Sequence, residues 1–346
     1  MLTNKEPLVS ICIPTYNSYP FLEYTLSSLF NQTYKNFEII VIDNASTDGT
    51  SLLINKCKNN SNFKYLRNKK NIGGANFNKA LLAGNGNYIA IFHSDDIYEP
   101  EILWKQIRAI SENENVAAVF TLGYKIDENN KVIGKYNIPR KLKNKTIFSF
   151  IDIFEEFLKN GNSFLLCPSF LLRRDIIENI GIFIPDKFGT AGDIEYWFRI
   201  LSKYKIAILK DKLVKRRISK FQDSSKYNHM RTARSDFFST MNYCLRSYAP
   251  DFDNQKILRQ YKFQKSFDNL RRSFYLLLYG NIKKSYKLIS KSISRDTFIA
   301  AFQFFDFKKL LKYILMLLFI FIFKIKLAKL FRLLLIKIKY RKIISI

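Results

Sequence analysis

A short apolar run that ends abruptly at a pair of acids constrains this chain more than any other feature. Tyr88, Ile89, Ala90, Ile91 and Phe92 are followed directly by His93, Ser94, Asp95 and Asp96. The run is bounded upstream by Gly84 and Gly86 and leaves no polar face for water. It therefore reads as a buried strand at the centre of a parallel sheet. Open α/β sheets collect their ligands at the carboxyl ends of strands, where Asp95 and Asp96 would stand. Two adjacent acids there ask for a positive partner, and a divalent cation held by oxygens is the simple candidate. A solvated turn that caps the next helix is the plain alternative.

The residues upstream supply the rest of such a sheet. Leu8–Pro14 reads as a first strand, with Thr15, Tyr16 and Asn17 as its turn. Phe21–Asn31 has apolar residues at helical spacing, and Phe37–Ile42 is a second strand. The loop Asp43–Thr50 is rich in Asx and Gly, with Asp48 or Thr50 able to cap a following helix. Phe63–Leu66 is a third strand, and a helix near Asn76–Ala83 leads into the central run. The order β-α-β-α-β-α-β is that of a doubly wound nucleotide-binding sheet. Further on, Val116–Leu122 and Lys131–Lys135 read as strands around a turn, Ile147–Lys159 as a helix, and Phe164–Leu172 as a buried strand broken by Pro168. Thr190–Leu201 opens with small residues and becomes an aromatic helix, with Asp193 at its start, where the helix dipole favours a carboxylate. From about Lys226 the pattern is mostly helical.

Composition bears on compartment and partners. With 346 residues, 47% apolar and 16% aromatic, the chain can bury a large core and is not disordered. Its net charge of +28 is unevenly placed: Met1–Ile110 has 11 basic residues against 9 acids, whereas Leu201–Ala300 has 23 against 7. The last 46 residues carry 11 basic residues and one acid, Asp306. A basic tail on a near-neutral head points to a polyanion, either nucleic acid or an anionic membrane. The sustained apolar content of the tail favours lipid over nucleic acid. The apolar run Tyr313–Phe323 is about 16 Å long as a helix, too short to cross about 30 Å of hydrocarbon by itself. The tail charges do not fall on one clean helical face, so surface attachment is the expectation. Cys12, Cys57, Cys167 and Cys244 are far apart and form no CxxC, which argues against a zinc site or a disulfide framework and for a reducing compartment. The first ten residues lack the pattern of a signal peptide, so a cytoplasmic location is expected.

Five segments, taken together and in order, resemble a known family. LVSICIPTYN, SLFNQTYKNFEIIVIDNASTDGT, NIGGANFNKAL, GNYIAIFHSDDIYEP and GDIEYWFRI resemble the successive motifs of family 2 inverting glycosyltransferases of the GT-A fold. The likeness spans about Leu8 to Phe221. It implies an α/β fold with a doubly wound, Rossmann-like mixed sheet in residues 1–225, followed by a basic, mostly helical C-terminal extension in residues 226–346.

The resemblance also implies roles. Pro14, Thr15 and Tyr16 match the turn that holds base and ribose. Asp43 and Asn44 match an acidic pair that reads the base edge; Asn44 stands where Asp is usual, and an amide brings donors as well as an acceptor. Asn71, Gly73 and Asn78 match the segment that passes the nucleotide, with Gly73 permitting close backbone approach. Asp95 and Asp96 match the end of the metal motif, whose usual first Asp is His93. Asp96 would hold Mn²⁺ or Mg²⁺, with Asp95 on the metal or the ribose, and the ion would stabilise the departing nucleoside diphosphate. For His93, strand-end packing is the leading reading and a place in the metal shell the second.

Asp193 matches the catalytic base that a single inverting displacement needs; by itself it would read as a helix cap. Gly192 replaces a usual Glu, which leaves Glu195 as a second candidate. Trp197 matches an aromatic near the acceptor, where the bare sequence would place it in the core. Lys215–Ser225 resembles a later loop in which Ser219 stands at a usual His; Arg216 and Arg217 read either as cations that neutralise phosphate or as solvated basic residues.

The implied activity is transfer of a sugar from a nucleotide-sugar donor, UDP-sugar favoured, to an acceptor hydroxyl. The setting would be surface polysaccharide assembly (O-antigen, capsule or exopolysaccharide) on a lipid-linked saccharide at the inner face of the cell membrane. Two other classes remain open on the residues alone: a nucleotidyltransferase, which would release pyrophosphate, and a non-catalytic polyanion-binding protein, for which Asp96 and Asp193 would not matter.

Overall fold

The computed structural model describes residues 6–219, 231–303, 307–324 and 326–344. The chain forms two compact units, one of Met1–Phe154, Asn162–Gln222 and Arg246–Tyr248, the other of Glu155–Gly161, Asp223–Leu245 and Ala249–Ile346. The boundary expected at 225/226 lies outside the described residues.

The first unit begins β1 (Val9–Thr15), α1 (Phe21–Phe30), β2 (Phe37–Asp43), α2 (Thr50–Cys57), β3 (Phe63–Arg67), α3 (Ala75–Ala83) and β4 (Tyr88–Ile91). These four strands are parallel in the order β3-β2-β1-β4, the doubly wound half expected from the alternation. Burial explains their apolar make-up: every residue of β2 is buried, and β4 is enclosed from Ile89 onward. Register places the site. Thr15 pairs with Asp43 and Asp43 with Arg67, so three strand ends finish in one row at the carboxyl edge.

Beyond β4 the sheet becomes mixed. β5 (Ile97–Tyr98), α4 (Ile102–Ser111), β6 (Val116–Ile126), β7 (Val132–Lys135), β8 (Ile147–Phe148) and α5 (Phe150–Asn160) come next. They are followed by β9 (Phe170–Arg173), α6 (Asp175–Ile180), α7 (Pro185–Phe188), α8 (Gly192–Leu201) and β10 (Lys205–Arg217). The order continues β4-β9-β6-β10-β5, with β9 antiparallel to both β4 and β6, and β10 parallel to β6.

Three segments differ from their sequence reading. Ile147 and Phe148 are not helical but pair with Ala207 and Ile206 of β10; the helix starts after Ser149, whose N–H and hydroxyl both donate to Asp152. The strand expected over 164–172 is confined to β9, because Pro168 lies in a 3₁₀ turn at Cys167–Ser169. The helix expected from Thr190 begins at Gly192, after another 3₁₀ turn.

The second unit includes α10 (Gln255–Leu278), which follows α9 (Asp236–Tyr248), then α11 (Ile282–Ser290), α12 (Arg295–Phe302), α13 (Phe307–Lys324) and α14 (Ala328–Ile344). Its core joins Phe263, Leu270, Leu277, Ile289, Ala300, Tyr313, Met316 and Phe319. Ser273 and Ser285 each donate to the other's carbonyl, at 2.8 and 2.7 Å, which lets α10 and α11 approach closely. On α13 the buried residues recur every third position, at Tyr313, Met316 and Phe319. The opposite side leaves Leu311, Ile314, Leu315, Leu318 and Phe321 42–56% exposed, and α14 adds Leu330, Leu333 and Leu334. Among the described residues no helix is long and apolar enough to cross a membrane.

Candidate active site

The carboxyl ends of β1, β2 and β3 form a cradle. The Asp43 carboxylate is fully buried and accepts from Ser46 N–H (2.8 Å), the Tyr65 hydroxyl (2.8 Å) and the Arg67 guanidinium. Asn44 holds the next turn: its carbonyl accepts from Asn68 (3.0 Å) and Ile72 N–H (2.9 Å), and its amide donates to Asn71 (2.8 Å). Asn71 in turn accepts from Gly73 N–H at 2.8 Å. Gly73 has φ of +57°, and a Cβ there would meet nothing within 4 Å, so its outer side faces open space. The Thr15 carbonyl accepts from Asn44 N–H at 2.8 Å, Pro14 lies beside Ile42, and Tyr16 is 45% exposed at the rim.

The structure thus gathers Pro14, Thr15, Tyr16, Asp43, Asn44, Asn71 and Gly73. Asp43 and Asn44 spend their polar atoms on the cradle itself. Asn78 is committed elsewhere: its amide and carbonyl exchange hydrogen bonds with the backbone of Phe183, both at 2.9 Å, and so pin the segment before α7. Arg67, at the end of β3 and with its side chain 43% exposed, is a cation of the cradle that the motifs did not indicate. Its place at a strand's carboxyl end was the available signal.

At the end of β4, His93, Asp95 and Asp96 each offer a ligand atom, and these atoms lie within 4.8 Å of one another. Asp96 is 1% exposed; its Oδ1 accepts from Arg217 N–H at 2.7 Å. Its Oδ2 and the Nε2 of His93 are buried and have no hydrogen-bond partner. Buried polar atoms are normally satisfied, so two such atoms in one three-residue group fit a missing ligand, and a divalent cation suits the donor set. The electrostatics agree. Burial, helped by the charge of Asp95, pushes the Asp96 carboxyl well above its usual range. Burial also pulls His93 down to about 4, against the opposing pull of Asp95, which leaves a neutral imidazole, the form that binds metals. The ring of His93 also lies edge-on to Phe77 at 5.7 Å, the packing at the strand end that the sequence led one to expect. Tyr98, stacked on Phe92 at 4.1 Å, accepts His93 N–H at 2.7 Å and fixes the turn.

Asp193 stands at the first turn of α8, its Oδ1 accepting from Ile194 N–H at 2.8 Å. Burial pushes its carboxyl from 3.8 up to about 6, against the pull of the Ile194 N–H and of Arg216. A Cβ at Gly192, the residue before Asp193, would meet nothing within 4 Å, so the first turn of α8 has open space at that position. Arg216, which donates to the Tyr136 hydroxyl at 2.8 Å, acts electrostatically on His93, Asp96 and Asp193. Cys167 is subject to Asp193, Arg216 and Asp96 alike. Segments 93–96, 167, 193 and 216, far apart in sequence, therefore share one neighbourhood. Cys167 gave no signal beyond being an unpaired cysteine.

Other expected participants are occupied. Glu195 is 1% exposed and accepts from Arg199 (3.0 and 2.9 Å) and the Tyr248 hydroxyl (2.5 Å), so it braces α8 and is not free to serve as a second base. Trp197 is 1% exposed and lies edge-on to Phe120 at 5.3 Å, in the core. Arg217 is fully buried; it donates to the carbonyls of Asp95 (2.9 Å), Asp127 (2.8 Å) and Glu128 (3.2 Å) and to Asn130 (2.6 Å), which makes it a clamp on the acidic turn. The Ser219 hydroxyl donates to Glu128 at 3.3 Å. Residues 220–225 of the expected later loop lie outside the described residues.

Comparison with known proteins follows the same outline. Residues 10–181 match the family model described as Glycosyl transferase family 2. Over 204 residues the chain is 34% identical to the Escherichia coli UDP-Glc:alpha-D-GlcNAc-diphosphoundecaprenol beta-1,3-glucosyltransferase WfgD, covering 58% of this chain and 73% of the relative. Over 218 residues it is 32% identical to an uncharacterized glycosyltransferase of Methanocaldococcus jannaschii, covering 62% and 71%. Among solved structures, S. aureus TarS 1-349 in complex with UDP-GlcNAc superposes with a TM-score of 0.58 at 18% identity, covering 86% of this chain and 84% of that one, a likeness of fold.

Proposed function

The chain belongs to glycosyl transferase family 2, and from that premise we propose that it moves a sugar from a UDP-sugar to an acceptor hydroxyl with inversion. The observation that carries this reading is the placing of Arg216 within electrostatic reach of both the His93–Asp95–Asp96 group and Asp193. One side of such a site can receive a diphosphate and the other a nucleophile. The acceptor oxygen bonds to the anomeric carbon as the bond from that carbon to the diphosphate oxygen breaks. Asp193, about 6, is poised near neutrality to take the hydroxyl proton. Arg216 offsets charge gathering on the leaving diphosphate. Asp96 Oδ2, His93 Nε2 and Asp95 would hold the divalent cation; with an imidazole in the set, Mn²⁺ suits better than Mg²⁺. When bound, the ion would supply Lewis-acid stabilisation of the diphosphate. The cradle of Thr15, Tyr16, Asp43, Asn44, Asn71 and Gly73 would take the nucleoside, with Arg67 at its edge.

The relative named for a diphosphoundecaprenol acceptor supports a lipid-linked saccharide as acceptor and surface polysaccharide as product. The exposed Leu and Phe residues of α13 and α14, interleaved with Lys312, Lys324 and Lys329, support peripheral attachment to the anionic inner face of the cell membrane.

The test is Mn²⁺-dependent release of nucleoside diphosphate from a panel of nucleotide sugars. Wild type should slowly hydrolyse a UDP-sugar, Asp96→Ala should abolish this, and Asp193→Asn should reduce it about 10²-fold or more. Release of pyrophosphate in place of UDP would move the reading to nucleotidyl transfer. Neither product, together with no Mn²⁺-dependent nucleotide binding, would overturn the transfer reading.

A further inference from the structure

Asn78, on α3, ties together two parts of the first unit that are 105 residues apart in the chain. Its amide donates to the Phe183 carbonyl and its side-chain carbonyl accepts from Phe183 N–H, both at 2.9 Å. Both backbone groups of one residue are held, so the segment is fixed in position and in direction. The same segment is gripped from α8. Arg199 donates to the carbonyls of Ile180 (2.7 Å) and Ile182 (2.8 Å) while pairing with Glu195 of its own helix. Ring packing repeats the link: Phe183 lies 4.3 Å from Tyr196 of α8 and 6.4 Å from Phe77 of α3. At the start of α3, a Cβ on Gly74 would come within 2.9 Å of Pro185 Cβ, so a glycine is what lets α7 sit this close.

Residues 180–185 are thus a clasp between α3 and α8, and both helices carry parts of the site. α3 follows directly on Asn71 and Gly73 of the nucleoside cradle, and its Phe77 lies edge-on to His93 at 5.7 Å. α8 opens with Gly192 and Asp193, the carboxylate standing in its first turn. A misplacement of about 1 Å at a reacting group can cost about 10²-fold in rate, so whatever holds α8 against α3 bears on turnover.

Resting on the transfer reading, we propose that Asn78 is a positioning residue for Asp193. It fixes residues 180–185 on α3 and through them sets the distance from the nucleoside cradle to the base, without itself binding the nucleotide.

The test compares turnover with nucleotide binding in the full chain. Turnover is Mn²⁺-dependent UDP release at saturation, from the UDP-sugar that wild type hydrolyses fastest; binding of UDP with Mn²⁺ is followed by calorimetry. Asn78→Ala should lower kcat about tenfold or more, while the Kd for UDP moves by less than about threefold. Arg199→Lys keeps the charge beside Glu195 but loses the fork that holds both carbonyls. It loosens the clasp from the other side, should have the same effect, and serves where Asn78→Ala does not fold. Because both changes act through Asp193, neither should lower the residual rate of Asp193→Asn by more than about twofold. A wild type that releases no UDP from any donor removes the transfer reading, and the positioning role with it. In an active wild type, kcat within about twofold of normal in both variants would overturn the positioning role alone. So would a loss of UDP binding of about tenfold in Asn78→Ala, which would return Asn78 to the nucleotide. A further loss of about tenfold on top of Asp193→Asn would also overturn it, since Asn78 would then hold the fold and not the base.

Discussion

Asp193 shows how one side chain can be costly to the fold and useful to the chemistry. Its carboxyl is raised from 3.8 to about 6, mainly by burial. A group that holds its proton more tightly in the folded chain lends stability below about pH 4 and loses it as pH rises through 6. At pH 8 the carboxylate is thus a burden, and Asp193→Asn should leave the protein as stable as wild type or up to about 3 kcal/mol more so. Transfer should meanwhile fall about 10²–10⁴-fold. Chemical denaturation at pH 8 beside initial rates checks this; a large loss of stability would show Asp193 to be a structural cap. Because the ionised form is the proposed base, wild-type turnover should climb with pH through about 6. A rate flat from pH 5 to 8 under chemistry-limited conditions would count against that role. His93 and Asp96 share the same logic. They leave Nε2 and Oδ2 buried without partners side by side in one three-residue group, which a bound cation would satisfy together.

At the scale of elements, β10 is what joins the two halves of the site. It runs beside β6 from Lys205 to Arg217 and ends with Arg216 within electrostatic reach of the acids and Arg217 bonded to their turn. Its Lys-rich sequence hides it, since the apolar positions Ile206, Ala207, Ile208, Leu213 and Val214 are interrupted by register shifts. The strands around Asp43 and Asp96 were legible because burial on both faces demands continuous apolar runs. The two-residue β8 was not, because so short a piece carries no period, whereas β9 was legible as the end of the buried run Phe164–Leu172 that Pro168 breaks. Arg217→Met should cost about 3–5 kcal/mol, since it strands the carbonyls of Asp95, Asp127 and Glu128 that the guanidinium now satisfies. Urea denaturation measures the loss; a change below about 1 kcal/mol would mean that water replaces the clamp.

For the whole molecule the decisive property is where the charge and the uncovered apolar surface lie. A net charge of +28, concentrated after residue 200, accompanies exposed leucines and phenylalanines on α13 and α14. Such a surface should bring the chain onto vesicles that contain anionic lipid but not onto neutral ones, with affinity falling as salt rises. The double substitution Leu318→Glu and Phe321→Glu should weaken vesicle co-sedimentation about tenfold or more, because each change puts a charge on the face that would enter the interface. Equal binding to neutral vesicles, or binding unmoved by the double substitution, would refute membrane docking through this face.

The sequence by itself determined the parallel half of the sheet, the acids at its edge and the family, because all of these are written in local periodicity and in short motifs. It could not decide which polar residues are spent on the scaffold and which are left for a ligand. Asn78 and Glu195 looked available and are not; Arg67 and Cys167 carried no motif and lie by the candidate site, where the buried nitrogen of His93 has no hydrogen-bond partner. Only the tertiary structure decides this. A hydrogen bond consumes a polar atom, burial shifts its proton affinity, and both depend on partners that lie from five residues to more than a hundred away in the chain.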